Sequence, residues 1–239
     1  MKPSETLTPE GIQKEFSICI NQEQIDQLLN HVNLLLEKNT HINLTAVRDF
    51  EAAVDLHVKD SLSIIRSVNQ SKLGAYLDIG TGGGFPGIPI GIVTDRKGVL
   101  LDSTKKKVDA VQEFLDALGL SPRVKAEAAR AEDFARKHAG EFAVVTARAV
   151  SSLPSIIELA APFISKGGWL ILMKGQPEAE EVERGAKVAK MLGLKHVETQ
   201  EFVIGEDQAT RTILIYEKTG KSSVKLPRRV GLAQHQPLA

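Results

Sequence analysis

The sequence is short of the residues that build disulfides, metal clusters and membrane spans. Cys19 is the only cysteine in 239 residues, which excludes an internal disulfide and a zinc site made of several cysteines. No apolar run approaches the length that crosses a bilayer, and residues 1–10 contain no apolar segment of the signal-peptide type. We therefore expect a cytoplasmic protein without a membrane segment and without a metal.

The chain also lacks an excess of either charge. Lys and Arg total 30, as do Asp and Glu, so the formal net charge is zero. The protein is therefore no polycation, and any contact with nucleic acid must be made by a local patch. What is present is a hydrophobic fraction of 42%, enough for the core of one α/β domain with an appendage. We expect a monomer.

The order of predicted elements divides the chain into three parts. Residues 1–72 carry helical signals, among them the capped start Thr8-Pro9-Glu10, and are interpreted as a helical N-terminal extension. Residues 73–218 alternate strands and helices, which is typical of a parallel sheet. Residues 219–239 form a basic tail that is expected to be loosely held. Strands are predicted at 75–79, 99–102, 123–128, 142–146 and 169–173, and helices at 9–16, 51–68, 86–93, 104–118, 131–137, 153–163 and 178–191.

Two further features complete the predicted organisation. In the extension, apolar residues between Ile25 and Leu36 recur at helical spacing and predict one amphipathic helix. After the last helix, two strand-like runs at 196–204 and 211–217 flank the turn-prone Gly205-Glu206-Asp207. These runs predict an antiparallel hairpin.

The most informative stretch is Leu77-Asp78-Ile79-Gly80-Thr81-Gly82-Gly83-Gly84-Phe85-Pro86-Gly87, where a predicted strand breaks into glycines. Glycines at 80, 82 and 84 allow positive φ angles and a close approach to a ligand. The spacing also fits the dinucleotide fingerprint, so two ligand classes compete. Asp78 favours S-adenosylmethionine, because a carboxylate here would repel a pyrophosphate but tolerate an ammonium and a sulfonium. A glycine-rich turn without a ligand is the remaining alternative.

Residues that follow the other strands are also candidates, because ligands lie at the carboxyl ends of strands in doubly wound sheets. Asp102, with Ser103 and Thr104 beside it, can accept hydrogen bonds from ribose hydroxyls; the alternative is a helix cap. Ala131-Glu132-Asp133 opens a helix and either meets the edge of an adenine or decorates a first helical turn. Arg148 closes the fourth strand, where a methyl donor and its acceptor would meet.

The fourth strand argues against two kinds of methylation. Methyltransferases of exocyclic amino groups usually carry an Asn/Asp-Pro-Pro-aromatic tetrapeptide here, whereas this chain has Thr146-Ala147-Arg148-Ala149. Methylation of pyrimidine C5 needs a cysteine nucleophile, and Cys19 lies in the helical extension. What remains is an acceptor that is already nucleophilic, such as a ring nitrogen. We interpret His41 and His57 as partly exposed structural residues rather than as substrate contacts.

Several motifs, spread over almost the whole chain, occur together in one known family. They are Gly80-Thr81-Gly82-Gly83-Gly84-Phe85-Pro86-Gly87, Asn43-Leu44-Thr45, His57-Val58-Lys59-Asp60-Ser61-Leu62, Arg148-Ala149, Lys174-Gly175 and Pro227-Arg228-Arg229-Val230-Gly231. In these motifs the chain resembles the bacterial small-subunit ribosomal RNA guanine-N7 methyltransferases, also called glucose-inhibited division protein B. Lys38, where the family often has an aromatic residue, and Leu232-Ala233, where it usually includes a proline, depart from the pattern.

The resemblance implies methyl transfer from S-adenosylmethionine to N7 of a guanine in the 530 loop of 16S rRNA, with the small ribosomal subunit as partner. The implied fold is that of class I S-adenosylmethionine-dependent methyltransferases, an α/β Rossmann-like, mostly parallel sheet with an antiparallel terminal hairpin, here with an N-terminal helical extension. The implied cofactor contacts are Gly80, Phe85, Ala131, Glu132 and Arg148, to which the loop and strand-end arguments add Gly82, Asp102, Ser103 and Thr104.

The tail holds the candidate RNA contacts. Together with Lys218 just before it, the tail concentrates positive charge at Lys221, Lys225, Arg228 and Arg229. Arg228 and Arg229 are candidate substrate contacts, because arginine pairs suit phosphate and stack on bases. Lys174, from the motif after the fifth strand, is the third candidate and rests on the resemblance. The alternative for the tail is a solvated terminus.

Two other functions stay open from the sequence. One is an NAD-dependent oxidoreductase, which Asp78 and the lack of a Tyr-x-x-x-Lys pair after the fourth strand disfavour. The other is a non-catalytic nucleotide-binding regulator of division.

Overall fold

The computed structural model describes residues 7–204 and 209–239 and shows a central sheet with helices on both faces. The strands are β1 Tyr76–Ile79, β2 Gly98–Asp102, β3 Val124–Ala128, β4 Phe142–Arg148, β5 Ile164–Lys174, β6 Leu194–Ile204 and β7 Ala209–Lys218. They form one sheet in the order β3-β2-β1-β4-β5-β7-β6. Strands β1 to β5 run parallel, and β7 is antiparallel to both of its neighbours. The predicted sheet and hairpin are confirmed; the predicted turn at 205–207 lies outside the described residues.

The helices follow the predicted alternation, and α1 and α2 begin at side-chain caps that the sequence indicates. Those of the extension are α1 Pro9–Phe16, α2 Gln22–Lys38, α3 Phe50–Ala53, α4 Asp60–Leu62 and α5 Ile65–Gln70. Those after β1 are α6 Gly87–Val93, α7 Lys105–Ala117, α8 Ala131–Ala135, α9 Leu153–Ala160, α10 Ala179–Met191 and α11 Leu232–His235. The Thr8 hydroxyl accepts the Gly11 N–H at 3.1 Å, and Asn21 forms a capping box with Gln24. These bonds explain where α1 and α2 begin.

The single helix predicted over residues 51–68 is wrong, because the chain changes its helical pitch there. A π-helix, Val54–Lys59, separates α3 from α4, and the Asp60 N–H bonds to the Asp55 carbonyl five residues earlier. The Ser61 hydroxyl donates to the His57 carbonyl at 2.6 Å, which competes with the regular α-helical ladder. Such π segments are rare and are found frequently at functional sites.

Strand β5 begins at Ile164 rather than at residue 169. Gly167 and Gly168 interrupt its apolar pattern, and the register against β4 shifts between Phe142 and Val144. A Cβ on Gly168 would lie 2.9 Å from the Ala143 carbonyl oxygen, so the two backbones approach too closely for a side chain. The irregular pairing hides the first half of the strand from a pattern-based prediction.

The helical extension shares a hydrophobic core with the sheet. Successive residues of β1 point to opposite faces, so Tyr76 packs in the same core as Leu28 and Val32 of α2. Leu77 belongs to the opposite core, which contains Leu153 of α9. The extension therefore covers one face of the sheet, and the division at residue 72 stays a prediction about chain organisation.

The tail is packed on the body, so the expectation that it is loosely held is wrong. The Ser223 N–H donates to the Met191 carbonyl at 2.8 Å, and Ala233 is 2% exposed. Leu226 and Leu238 pack against the core on the Leu77 face. Scattered apolar residues anchor a segment whose average composition is polar.

Candidate functional site

A cavity of about 300 Å³ lies at the carboxyl ends of the central parallel strands. Its lining includes Ile79 at the end of β1, Asp102 at the end of β2 and Arg148 at the end of β4. The cavity walls bring together seven of the predicted cofactor contacts, namely Gly80, Asp102, Ser103, Thr104, Ala131, Glu132 and Arg148. The other two, Gly82 and Phe85, are not among the lining residues. The cavity therefore forms where strand-end reasoning places a ligand.

Positive φ angles shape the glycine loop beside this cavity. Gly80 has a φ of 70°, and a Cβ there would lie 2.6 Å from the Val150 side chain. Gly82 has a φ of 58°, and its N–H donates to Asp102 Oδ2 at 3.2 Å. Gly82 thus holds a carboxylate that lines the cavity, and a direct contact of Gly82 with the cofactor stays a prediction.

The sequence argument assumed that Asp78 lies beside the ligand. In the structure Asp78 lies beneath the loop and is not among the residues that line the cavity. Its side chain is fully buried and accepts hydrogen bonds from the Gly87 N–H at 3.1 Å and the Thr146 hydroxyl at 2.9 Å. Burial raises the pKa of Asp78 to about 6, although both hydrogen bonds act in the opposite direction. Asp78 therefore braces the loop against β4 and α6.

Asp102 lines the cavity and also holds two backbone N–H groups, while its contact with the cofactor stays a prediction. Its Oδ1 accepts the Thr104 N–H at 2.8 Å, which fixes the residue just before α7, while its Oδ2 accepts the Gly82 N–H. The carboxylate still lines the cavity, and each oxygen keeps a second lone pair for a ligand donor. Thr104 precedes α7 but makes no side-chain capping bond.

The C-terminal tail forms one wall of the cavity. Glu132 opens α8 and is 7% exposed, and its Oε1 accepts the Gly231 N–H at 2.8 Å. Gln234 of the tail lines the cavity as well. The sequence gives no local signal for this contact, because Gly231 and Glu132 are far apart along the chain.

Arg228 holds the tail in place. Its Nε and Nη2 donate to the two oxygens of Glu158 at 2.6 and 2.7 Å, and Nη2 also donates to the Gln236 carbonyl at 2.6 Å. The neighbouring Arg229 is exposed. Arg228 thus lies in a contact between tail and body, and RNA binding by either arginine stays a prediction.

A second cavity, of about 400 Å³, adjoins the first at Arg148 and Ala149, which line both. Its charged lining residues are Asp60, Arg148, Lys174 and Arg211. Arg148 Nη1 donates to Asp60 Oδ2 at 3.0 Å and to the Leu56 carbonyl at 3.1 Å. Lys174 Nζ donates to the Ser151 carbonyl at 2.9 Å and pairs with Glu181 at 3.0 Å. Arg148 therefore connects the sheet, the extension and both cavities.

Phe85 packs inward between two histidines of the extension. Its ring stacks on His31, with centroids 4.2 Å apart, and lies 5.1 Å from His57 and 5.5 Å from the Arg148 guanidinium. His31 Nε2 lies 2.9 Å from the Gly83 carbonyl. Burial lowers the pKa of His31 to about 3, and burial together with the Arg148 charge lowers the pKa of His57 to about 4. Both rings are therefore neutral at physiological pH, and His31 donates to the glycine loop.

The described ranges, 7–204 and 209–239, contain no helix that combines the length and apolar character needed to cross a membrane. Within the same ranges, no cluster of three or more His, Cys, Asp or Glu side chains is placed to hold a metal ion.

The sequence is similar to those of ribosomal RNA methyltransferases. Residues 24–210 match the family model described as rRNA small subunit methyltransferase G. The chain is 35% identical over 238 residues to the ribosomal RNA small subunit methyltransferase G of Alkaliphilus metalliredigens, which covers 98% of this chain and 99% of that protein. It is 37% identical over 224 residues to the protein of the same name from Deinococcus radiodurans, covering 92% and 87% respectively.

The fold is similar to those of solved structures at low sequence identity. Geranyl diphosphate C-methyltransferase from Streptomyces coelicolor A3(2) gives a TM-score of 0.55 at 10% identity, over 68% of this chain and 79% of that one. The YcgJ protein from Bacillus subtilis gives 0.56 at 12% identity, over 69% and 100%. These similarities concern the fold alone and confirm the predicted class I methyltransferase architecture. By its sequence, the chain belongs to the rRNA small subunit methyltransferase G family.

Proposed function

We propose that the protein transfers the methyl group of S-adenosylmethionine to N7 of a guanine in the 530 loop of 16S rRNA. Family membership supports an rRNA methyltransferase over an oxidoreductase or a non-catalytic regulator. The observation that carries the proposal is that two cavities meet at Arg148 and Ala149, one suited to a donor and one to an acceptor. An rRNA substrate implies a cytoplasmic location, and we expect the protein to act as a monomer.

The first cavity fits an adenosyl ligand by its chemistry. Asp102 and Glu132 present carboxylate oxygens that accept hydrogen bonds from hydroxyl and amino groups. Gly80 lines the cavity without a side chain, which permits a ligand to approach the backbone. A methyltransferase of the same fold, from Streptomyces coelicolor A3(2), is solved with S-adenosyl-L-homocysteine. We therefore assign the cofactor to this cavity.

Methyl transfer to N7 requires the protein to align the two reactants and to accommodate the positive charge that forms on the base. It does not require a general base. When bound, S-adenosylmethionine supplies an electrophilic methyl group on a sulfonium centre. Guanine N7 has a free lone pair, so no proton has to move, and positioning supplies much of the rate enhancement. Arg148 is paired with Asp60, which offsets its repulsion of the positive charge that passes to the base. His57, whose pKa is about 4, adds no second cation there.

Labelled methyl transfer to small ribosomal subunits tests the proposal. Subunits from a strain that lacks the modification are incubated with the protein and S-adenosylmethionine carrying a labelled methyl group, beside naked 16S rRNA. We expect 7-methylguanosine, which is positively charged and open to borohydride reduction and aniline scission. A label on carbon or on an exocyclic nitrogen contradicts the N7 assignment. Binding of NADH but not of S-adenosylhomocysteine, measured by calorimetry, contradicts the methyltransferase itself.

A further inference from the structure

One carboxylate oxygen of Asp60, a residue that lines the second cavity, has no hydrogen-bond donor within the part of the chain that the structure describes. The Asp60 side chain is 4% exposed, and its Oδ2 accepts from Arg148 Nη1 at 3.0 Å. Its Oδ1 has no hydrogen-bond partner among the described residues, and the Arg211 Nε lies 3.6 Å away, too far for a hydrogen bond. A buried acceptor without a donor is costly, so this oxygen calls for a donor from outside the protein.

We infer that Asp60 reads the Watson–Crick edge of the target guanine in this cavity, an inference that rests on the proposed function. Guanine presents two neighbouring donors on that edge, N1–H and the N2 amino group, which match the two oxygens of a carboxylate. Adenine and cytosine present a single amino donor next to an acceptor nitrogen, and uracil places its N3–H between two carbonyls. Asp60 therefore selects guanine. The apolar side chains of Val47, Leu56 and Met173 in the same lining suit the flat face of the base.

The same contact favours the reaction as well as the choice of base. N7 lies on the Hoogsteen edge and N1 and N2 on the Watson–Crick edge, so a base held by Asp60 keeps its nucleophile free. Methylation at N7 leaves a positive charge on the ring, which makes the N1–H a stronger donor. The hydrogen bonds to Asp60 thus strengthen as the new bond forms, and an interaction that is stronger in the transition state raises kcat.

The charges of the cavity favour a base edge over a phosphate. Three cations line it, but Arg148 is paired with Asp60 and Lys174 with Glu181. Arg211 also lies near the Asp60 carboxylate, at 3.6 Å. A phosphate would sit against the Asp60 carboxylate, whereas the donor edge of guanine would satisfy it. Removing the Asp60 charge should therefore impair catalysis if the cavity holds a guanine edge, and should tighten RNA binding if it holds a phosphate.

A matched pair of variants tests the role of Asp60. D60N removes the charge in the cavity at the start of α4, whereas D55N removes a charge from the π-helix just before it. Asp55 is 8% exposed, pairs with Lys59 at 2.8 Å and lies outside the cavity lining. We measure kcat and KM on small subunits, the affinity for S-adenosylhomocysteine and Tm. We expect D60N to lower kcat/KM on the order of 10- to 100-fold, mainly through kcat. Its affinity for S-adenosylhomocysteine should stay within about twofold of wild type. D55N should keep kcat/KM and the affinity for S-adenosylhomocysteine close to wild type, although loss of the pair with Lys59 lowers its Tm.

D60N also weakens the hydrogen bond to Arg148 and can lower Tm, so a second measurement uses the wild-type protein and changes the RNA instead. Wild-type protein is given small subunits reconstituted with 16S rRNA that carries inosine, which lacks the N2 amino group, in place of the target guanosine. We expect kcat/KM to fall on the order of tenfold or more, as for the loss of one charge-assisted hydrogen bond.

The outcomes separate this inference from the proposed function. Equal rates with inosine and guanosine, or D60N behaving like D55N, overturn the reading of the base by Asp60. Tighter RNA binding by D60N also overturns it and assigns the cavity to a phosphate. A wild-type protein that methylates no guanine N7 in either RNA refutes the proposed function instead.

Discussion

Replacing Arg228 with alanine tests whether the C-terminal tail is part of the cofactor site. The side chain of Glu158 is 2% exposed and that of Arg228 is 23% exposed, and the two are joined by paired hydrogen bonds at 2.6 and 2.7 Å. The Glu158 carboxylate raises the pKa of Arg228, as a tight ion pair should. R228A therefore leaves a buried carboxylate without its cation.

The loss of stability follows from this burial. Breaking a buried pair by removing one partner costs about 3–5 kcal/mol, and we expect about 3 kcal/mol because the arginine is partly in water. In a protein of this size each kcal/mol lowers Tm by about 2–4 °C, so Tm should fall by about 6–12 °C. Thermal unfolding of R228A beside R229A, the exposed neighbour, measures the difference.

Release of the tail should also weaken cofactor binding. The tail braces Glu132 through the Gly231 N–H and places Gln234 in the cavity wall. Losing one such hydrogen bond is worth about 1 kcal/mol, so S-adenosylhomocysteine should bind about fivefold more weakly to R228A in calorimetry. R229A should instead keep that affinity and lower the log–log salt slope of RNA binding by about 0.7. R228A could instead keep its Tm and its cofactor affinity and show a reduced salt slope. That result would refute the role of the tail as a wall of the cofactor cavity and would make Arg228 an RNA contact.

Three further predictions concern the loop, the strand end and pH. Gly82→Val should abolish S-adenosylhomocysteine binding in calorimetry, whereas Gly119→Val, at a comparable φ of 70° with nothing within 4 Å, should not. Asp102→Ala should weaken that binding by about 1.5–3 kcal/mol; an unchanged Kd in a folded variant would leave Asp102 only its hydrogen bonds to the Gly82 and Thr104 N–H groups. Between pH 6 and 5, buried His31 and partly buried His57, with pKa values of about 3 and 4, bind protons only when unfolded, whereas the Asp78 carboxyl, with a pKa of about 6, binds one only when folded. Denaturant unfolding should therefore show about 1.4 kcal/mol of stability lost per pH unit on acidification, and His31→Phe should bring that slope near zero relative to the same change at exposed His41.

The order of elements could be predicted because periodicity and capping are local properties of the sequence. The parallel strands and α1 follow from such signals. The break in the helix at Val54–Lys59 could not be predicted in this way, since it depends on bonds such as that of Ser61 to the His57 carbonyl. The start of β5 was missed for a similar reason, because pairing with β4 extends the strand through Gly167 and Gly168.

The residues of the candidate site also differ in whether local sequence signals predict them. Gly80, Asp102 and Arg148 could be predicted to line a cavity because a rule connects strand ends with ligands. Gln234 was not predicted, and Asp60 appeared only as a member of the motif at 57–62, because each reaches its cavity from a segment remote in sequence from the strand ends. The strand-end rule assigns no role to either residue.

The glycine loop shows why the extension belongs to the site and is no separate appendage. Gly80 is required by its φ of 70° and by the Val150 side chain next to it. Gly83 is required by a different neighbour, because a Cβ there would lie 2.5 Å from the Leu35 side chain of α2. His31 of the same helix lies 2.9 Å from the Gly83 carbonyl. The density of glycine in the loop thus reflects two partners, the cavity on one side and α2 on the other, so a change that displaces α2 must also displace the loop that holds Asp102.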